Sequence, residues 1–345
     1  MDKSVITTTA DQSSLISETF TDPADYIYHI YKELSEKKAN DFLQYRINWK
    51  ASQEFTKVFS FPLYILTELT FSCNYRCPQC ILGNIEETIK LKPDIPEMPI
   101  SLFKKIIDEG EEHQCRSLCL NHTNEPLLVK DLVDRISYAQ NHGFLDILMN
   151  TNGELLNENI SKKIIQSGLT RLMISIDANS QETFKKIRLG GNFKKVCDNV
   201  KNFIKIRDEM GLKLPLVRTS FVLQKSNTHE LNEFINYWKE KVDYVHIQNF
   251  SRPYETSDDS RITIKKLNSK NTFRCDQPNN RIVIRSDGQV LPCCSWFSYE
   301  IPVGNVNDKS IYEIWNSKLM KDLRQIHFAG QYNLNPTCEK CVKSF

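Results

Sequence analysis

Between about residues 61 and 250 the chain alternates short apolar, β-branched runs with longer stretches whose apolar positions recur at helical spacing. The first run, Phe61-Pro62-Leu63-Tyr64-Ile65-Leu66-Thr67-Glu68-Leu69-Thr70, opens behind a proline and reads as a buried strand. Further strands are predicted over 116–120, 145–149, 171–176, 216–223 and 242–248. Helices are predicted between them over 101–113, 128–142, 157–168, 181–188, 193–210 and 229–239. Six strands separated by crossover helices run parallel, and the α/β fold they predict is a partial (β/α)6 barrel.

The pattern differs on either side of this region. Residues 1–20 are polar and rich in Ser and Thr, the composition of a disordered tail. From Asp22-Pro23 to about Phe59 the spacing of Ile27, Ile30, Tyr31 and Leu34 is helical, so residues 1–60 are a tail plus helices. Residues 251–272 are charged and polar and read as a linker. Beyond them, Arg281–Arg285, an Asp287-Gly288 turn and Gln289–Leu291 spell a hairpin. Short helices near 311–315 and 318–328 follow, making residues 273–345 a small C-terminal α+β domain.

Composition narrows the function classes. A chain of 345 residues can bury one large core, or a barrel with an appendage. Lys+Arg (45) nearly balances Asp+Glu (43), so no charge excess calls for nucleic acid or an anionic membrane. No signal-peptide core or membrane-length apolar run is visible, and a cytoplasmic location is expected. In a reducing compartment the eleven cysteines are metal ligands or buried thiols rather than disulfides. Cys115, Cys119 and Cys197 stand singly in apolar segments and read as core thiols.

The chemistry is carried by Cys73-Asn74-Tyr75-Arg76-Cys77-Pro78-Gln79-Cys80, a C-x3-C-x2-C run just after the first strand. Three thiolates on one loop can hold three irons of a [4Fe–4S] cluster and leave the fourth iron open to a ligand. Structural zinc would require a fourth ligand, and no His lies near. The loop follows the carboxyl end of a strand, the edge where α/β folds bind ligands. The strand, the CNYRCPQC run and the alternating elements behind it resemble the radical S-adenosylmethionine (radical SAM) superfamily. That resemblance implies that the open iron binds S-adenosylmethionine. Reduction by a flavodoxin- or ferredoxin-type partner then yields a 5′-deoxyadenosyl radical that abstracts a substrate hydrogen.

Three other stretches resemble the family's cofactor contacts. Asn124-Glu125-Pro126 stands at its Gly-Gly-Glu-Pro motif, with Thr123 and Asn124 in place of the glycines. Asn150-Thr151-Asn152-Gly153 resembles the Thr-Asn-Gly turn, and Ser175-Ile176-Asp177 with Arg188 resembles the ribose- and carboxylate-binding groups. Asp177 could equally cap a helix. Arg218, apolar-flanked on the fifth strand, needs a partner: a cofactor carboxylate, Glu68 or Asp177.

Cys275, Cys293-Cys294, Cys338 and Cys341 crowd the C-terminal domain. Their spacing suits one closed site, either an iron–sulfur cluster or four-cysteine zinc. With the hairpin, Gly304-Asn305-Val306 and Ile311–Trp315, this region resembles the SPASM/twitch domain. The resemblance implies one auxiliary [4Fe–4S] cluster on Cys275, Cys293, Cys338 and Cys341, with Cys294 an alternative to Cys293. The expected reaction is oxidation or epimerisation of a small polar, sugar-like substrate, the auxiliary cluster accepting an electron. The alternatives are a maturase acting on a ribosomally made peptide, and an electron-transfer protein that does not cleave the cofactor.

Overall fold

The computed structural model describes residues 4–8, 23–250 and 273–344, and the predicted linker at 251–272 lies outside them. Ten strands form one sheet. They are β1 (Ser4–Thr8), β2 (Tyr64–Thr67), β3 (Ser117–Cys119), β4 (Asp146–Thr151), β5 (Arg171–Ser175), β6 (Leu216–Leu223), β7 (Tyr244–Asn249), β8 (Arg281–Ile284), β9 (Gln289–Leu291) and β10 (Gly304–Asn305). Their order is β1-β7-β6-β5-β4-β3-β2-β8-β9-β10. The six expected strands, β2 to β7, are parallel neighbours in sequence order.

Both edges of the sheet differ from expectation. Residues 4–8, expected within a disordered tail, pair in parallel with β7. The hairpin expected in the C-terminal domain also extends the sheet: β8 pairs in parallel with β2, and β9 and β10 follow antiparallel. Backbone pairing is non-local, so a two-residue periodicity cannot announce which older strand a hairpin will join.

Alternation along each strand divides two environments. Ile65, Leu118, Ile147, Leu172, Val217 and Val245 are fully buried against the helices in the main core. On the opposite face Leu66, Cys119, Val283 and Leu291 cluster with Tyr64, Leu148 and Cys294 inside the barrel. Cys119, read as a core thiol, therefore faces the barrel interior, whereas Cys115 and Cys197 pack in the main core.

Helices Pro23–Leu34 and Glu36–Gln53 close the amino-terminal end of the barrel. Ile27, Tyr31, Phe42 and Tyr45 pack on Leu145, Leu216 and Tyr244, which stand at or beside strand starts. Tyr31 Oη donates to the Leu145 carbonyl at 2.6 Å, and Arg171 grips Asp146 at 2.8 and 3.2 Å. With that end plugged, the interior opens at the carboxyl edge, where the loops of interest lie. Among the described residues no helix is long and apolar enough to cross a membrane.

Candidate active site at the carboxyl edge of the barrel

The Cys73–Cys80 loop is held by its own backbone. Cys80 N donates to Cys77 O and Gly83 N to Cys80 O, each at 2.9 Å, winding the chain around Cys77. Gly83 is obligatory here for reasons of space: a Cβ would lie 2.0 Å from the Cys77 carbonyl oxygen. Arg76 N donates to Leu189 O at 2.9 Å, tying the loop to the turn after helix Gln181–Ile187. Gly191 packs under Tyr75, whose Oη donates to Glu154 Oε2 at 2.7 Å. Burial pushes the free thiols up, Cys73 to about 11 and Cys80 to about 12, with Cys77 raised as well. A thiolate survives in such a place only with a metal or a cation beside it. Tyr75 N already donates to Cys73 Sγ at 3.4 Å, and Arg188 Nη1 lies 3.9 Å from Cys77 Sγ.

The other expected residues ring this loop. Glu125 N donates to Ser72 O at 2.9 Å. The buried carboxylate of Glu125 accepts from Leu127 N (3.1 Å), Thr151 Oγ1 (2.6 Å) and Asn152 N (2.7 Å). It thus latches the loop after β3 to the loop after β4. Burial raises its pKa against the lowering effect of those donors. Asn152 Nδ2 reaches Asn74 Oδ1 at 2.8 Å and Cys73 Sγ at 3.9 Å. Asn124 Oδ1 accepts from His122 N at 3.0 Å, while its buried Nδ2 has no partner.

Thr123 and Asn124 fit without glycine because the backbone there stays out of the left-handed region, which only Phe55, Gln114 and Asp177 enter among described non-glycine residues. Asp177 caps no helix; Ser180 does that. Its carboxylate pairs with Arg188 Nη2 and accepts from Val222 N at 2.8 Å, fixing its left-handed backbone (φ 61°). Ser175 ends β5, half-buried. Arg218 meets neither Glu68 nor Asp177. Its Nη2 reaches Asn150 Oδ1, at 3.3 Å.

The C-terminal thiols come from three segments. Cys293 has Cys275, Cys294 and Cys341 as charge neighbours, and burial pushes it well up. Cys338 and Cys341 share helix Pro336–Lys343, where an i, i+3 spacing puts both on one face. Cys294 is also a charge neighbour of Cys341, but its thiol is engaged on the barrel side. Its Sγ donates to Gln277 Oε1 at 3.0 Å, and its side chain packs with Cys119 and Leu66 inside the barrel. Among the described residues no three His, Cys, Asp or Glu side chains converge tightly enough to hold a single ion. An iron–sulfur cube takes each thiolate on a different iron and suits a wider set.

The Radical SAM superfamily matches residues 67–237, spanning the thiol triad and its ring of partners. The chain belongs to the radical SAM superfamily. An iron-sulfur cluster-binding domain, SPASM, matches residues 275–342 of this radical SAM enzyme. The chain is 26% identical over 322 residues to the tungsten-containing aldehyde ferredoxin oxidoreductase cofactor-modifying protein of Pyrococcus furiosus, covering 81% of this chain and 86% of that protein. BtrN, crystallised with AdoMet and 2-DOIA, superposes with a TM-score of 0.55 at 20% identity, covering 83% of this chain and 93% of BtrN. Streptococcus suis SuiB bound to precursor peptide SuiA gives 0.59 at 15% identity, covering 83% and 72%. Likeness at this level reports the fold.

A radical SAM enzyme carries S-adenosylmethionine, a [4Fe–4S] cluster and, with SPASM, auxiliary iron–sulfur cluster binding. The residues present fit these groups. Three thiols share one loop, and the unpartnered Asn124 Nδ2 and Arg188 Nε point to a polar ligand at its rim. We propose Cys73, Cys77 and Cys80 as the ligands of the open cluster, and Asn124, Glu125, Asn152, Ser175, Asp177 and Arg188 as its cofactor rim. Cys275, Cys293, Cys338 and Cys341 are the proposed auxiliary ligands.

Sequence reasoning missed a second polar group in the same mouth. Glu68, fully buried, receives Tyr299 Oη at 3.0 Å and Arg285 Nε at 3.4 Å, with His122 Nδ1 at 3.6 Å. Tyr299 Oη also meets Thr123 Oγ1 at 2.7 Å and His122 Nδ1 at 3.2 Å. A charged residue in the otherwise apolar first strand was the available signal; its partners lie more than 200 residues away in the case of Arg285 and Tyr299.

Proposed function

We propose that this radical SAM enzyme oxidises a C–H-bearing alcohol carbon of a small polar, sugar-like molecule held inside the barrel. The supporting observation is the Glu68–His122–Tyr299 group, which joins the segments just after β2 and β3 to Tyr299, itself packed with Cys119 and Cys294. When bound, the cofactor supplies a radical that removes the substrate hydrogen atom, and the auxiliary cluster accepts the second electron. The chain's own residues must then take the hydroxyl proton. A path for it runs through the Tyr299 hydroxyl to the Glu68 carboxylate at 3.0 Å, with His122 held beside them by Nε2 on the Cys294 carbonyl at 3.3 Å. Leu66, Cys119, Leu148 and Leu291 form an apolar wall that keeps bulk water from the radical carbon.

Epimerisation is the second outcome the interior can support, because Cys119 and Cys294 put thiols in the same cluster of side chains. A thiol returns a hydrogen atom where no electron leaves. The test incubates reduced, cluster-loaded enzyme with S-adenosylmethionine and carbon-deuterated cyclitols or sugars. Oxidation transfers deuterium to 5′-deoxyadenosine and yields a carbonyl product; epimerisation in D2O places solvent deuterium on the product. SuiB's bound precursor peptide is the ground for the peptide-maturase alternative. Turnover with short peptides and none with polyols would replace the present reading, and no 5′-deoxyadenosine under any condition would leave the electron-transfer reading.

A further inference from the structure

Among the described residues, Arg218 is a cation without a carboxylate partner in the interior of the barrel. It pairs in register with Met173 of β5 and Tyr244 of β7, and Asn150 of β4 also pairs with Met173. The guanidinium donates to Asn150 at 3.3 Å, so it crosses the inner face over the intervening strand. Its buried Nε has no partner. The ionisable groups with the largest influence on it are two phenols, another cation and a thiol, those of Tyr244, Arg171, Tyr64 and Cys119. The two carboxylates expected as partners are committed elsewhere, Glu68 to Arg285 and Tyr299, Asp177 to Arg188. Two residues on, Ser220 is 5% exposed and its Oγ is likewise unpartnered. His246, in register with Ser220, is held neutral, its pKa lowered to about 3 by burial and then by Arg218.

An unpaired buried cation costs several kcal/mol, and an arginine fork matches the geometry of a carboxylate or phosphate. Depth argues for substrate over cofactor. Asn152, which touches Asn74 and approaches Cys73, lies two residues beyond Asn150 along the same strand path, about 7 Å nearer the mouth. Arg218 is thus one layer below the residues that meet the cluster loop.

We propose that Arg218, oriented by Asn150 and assisted by the Ser220 hydroxyl, forms a subsite for an oxyanion of the substrate, a carboxylate or a phosphate. This deepens the reading of the barrel interior as the substrate chamber: the polar substrate is acidic, anchored at the bottom by its anion with the reacting carbon toward the mouth.

The experiment uses the cluster-reconstituted full chain under anaerobic conditions. Thermal midpoints are measured in inorganic phosphate, in succinate and in chloride at matched ionic strength. The expected result is a rise with phosphate or succinate over chloride, the responding anion naming the group. Arg218→Gln should abolish that rise and weaken anion binding about thirtyfold or more, while leaving the S-adenosylmethionine dissociation constant unchanged. Ser220→Ala should weaken anion binding and keep the fold if Arg218→Gln does not. No anion-specific rise in the wild type overturns the proposal, as does a tenfold or greater loss of S-adenosylmethionine affinity in Arg218→Gln. Release of 5′-deoxyadenosine is measured separately, so a failure of the alcohol-oxidation reading and a failure of the anion subsite give different records.

Discussion

Gly83→Ala isolates the demand that the first cluster makes on its loop. A Cβ at residue 83 would stand 2.0 Å from the Cys77 carbonyl oxygen and 2.7 Å from its carbon, where real Cβ contacts do not fall below 3.0 Å. The obstacle is backbone, so no rotamer relieves it. The turn must open by at least the difference, 3.0 minus 2.0, or 1.0 Å. That breaks the 2.9 Å Cys80 N to Cys77 O and Gly83 N to Cys80 O bonds that set the spacing of the two thiols. Overpacking of this kind costs about 1–3 kcal/mol, which a chain of this size can tolerate. The cluster cannot tolerate the movement, since metal–ligand distances hold to about 0.2 Å. The assay is anaerobic reconstitution followed by iron and sulfide analysis and circular dichroism. Iron should fall from about eight to about four atoms per chain, with secondary structure kept. S-adenosylmethionine should no longer perturb the remaining cluster's spectrum. An alanine variant that keeps the full iron content and its response to S-adenosylmethionine would refute this account of the loop.

Further outcomes follow from the same geometry. Cys293→Ala should lose about four irons while Cys294→Ala keeps them, because the Cys294 thiol is already engaged by Gln277 at 3.0 Å and packs with Leu66 and Cys119, whereas Cys293 has Cys275 and Cys341 as charge neighbours; iron analysis of the pair decides it. Glu125→Gln puts an amide where three donors converge, at 3.1, 2.6 and 2.7 Å, and should cost about 1–3 kcal/mol in urea unfolding together with weaker S-adenosylmethionine binding. Asp146→Asn cuts the buried Arg171 pair at the closed end and should cost about 3–5 kcal/mol, with iron content per folded chain unchanged. Tyr299→Phe removes the hydroxyl that links Glu68, Thr123 and His122. Product formation should fall about a hundredfold while substrate-free release of 5′-deoxyadenosine persists.

Local signals carried much of this. The helix caps at Asn157, Ser180 and Asn192 each accept the backbone bond that their side-chain chemistry suggests. The predicted strand β6 is found at its predicted limits, Leu216–Leu223, because a β-branched run bounded by turns is defined within itself. Other limits moved: the first strand shrinks to Tyr64–Thr67, although Leu63 N and Glu68 N on either side still donate to Asn280 O and Ile284 O of the neighbouring segment. Helix Pro336–Lys343, too short and too polar to announce itself, was not expected, yet it carries two of the proposed auxiliary ligands.

The linear order of residues by itself determined the parallel α/β class, the thiol triad on its loop and the second cysteine set, because each is written in neighbours a few positions apart. Tertiary structure alone decided what those pieces face. It turned Cys293 toward Cys275 and Cys294 into the barrel, joined β8 to β2, withheld both candidate carboxylates from Arg218, and built the Glu68–His122–Tyr299 group from three distant segments. The physical reason is that spacing fixes backbone conformation over a turn or two, whereas burial, charge pairing and strand order are settled between segments whose separation along the chain sets no limit on how close they come.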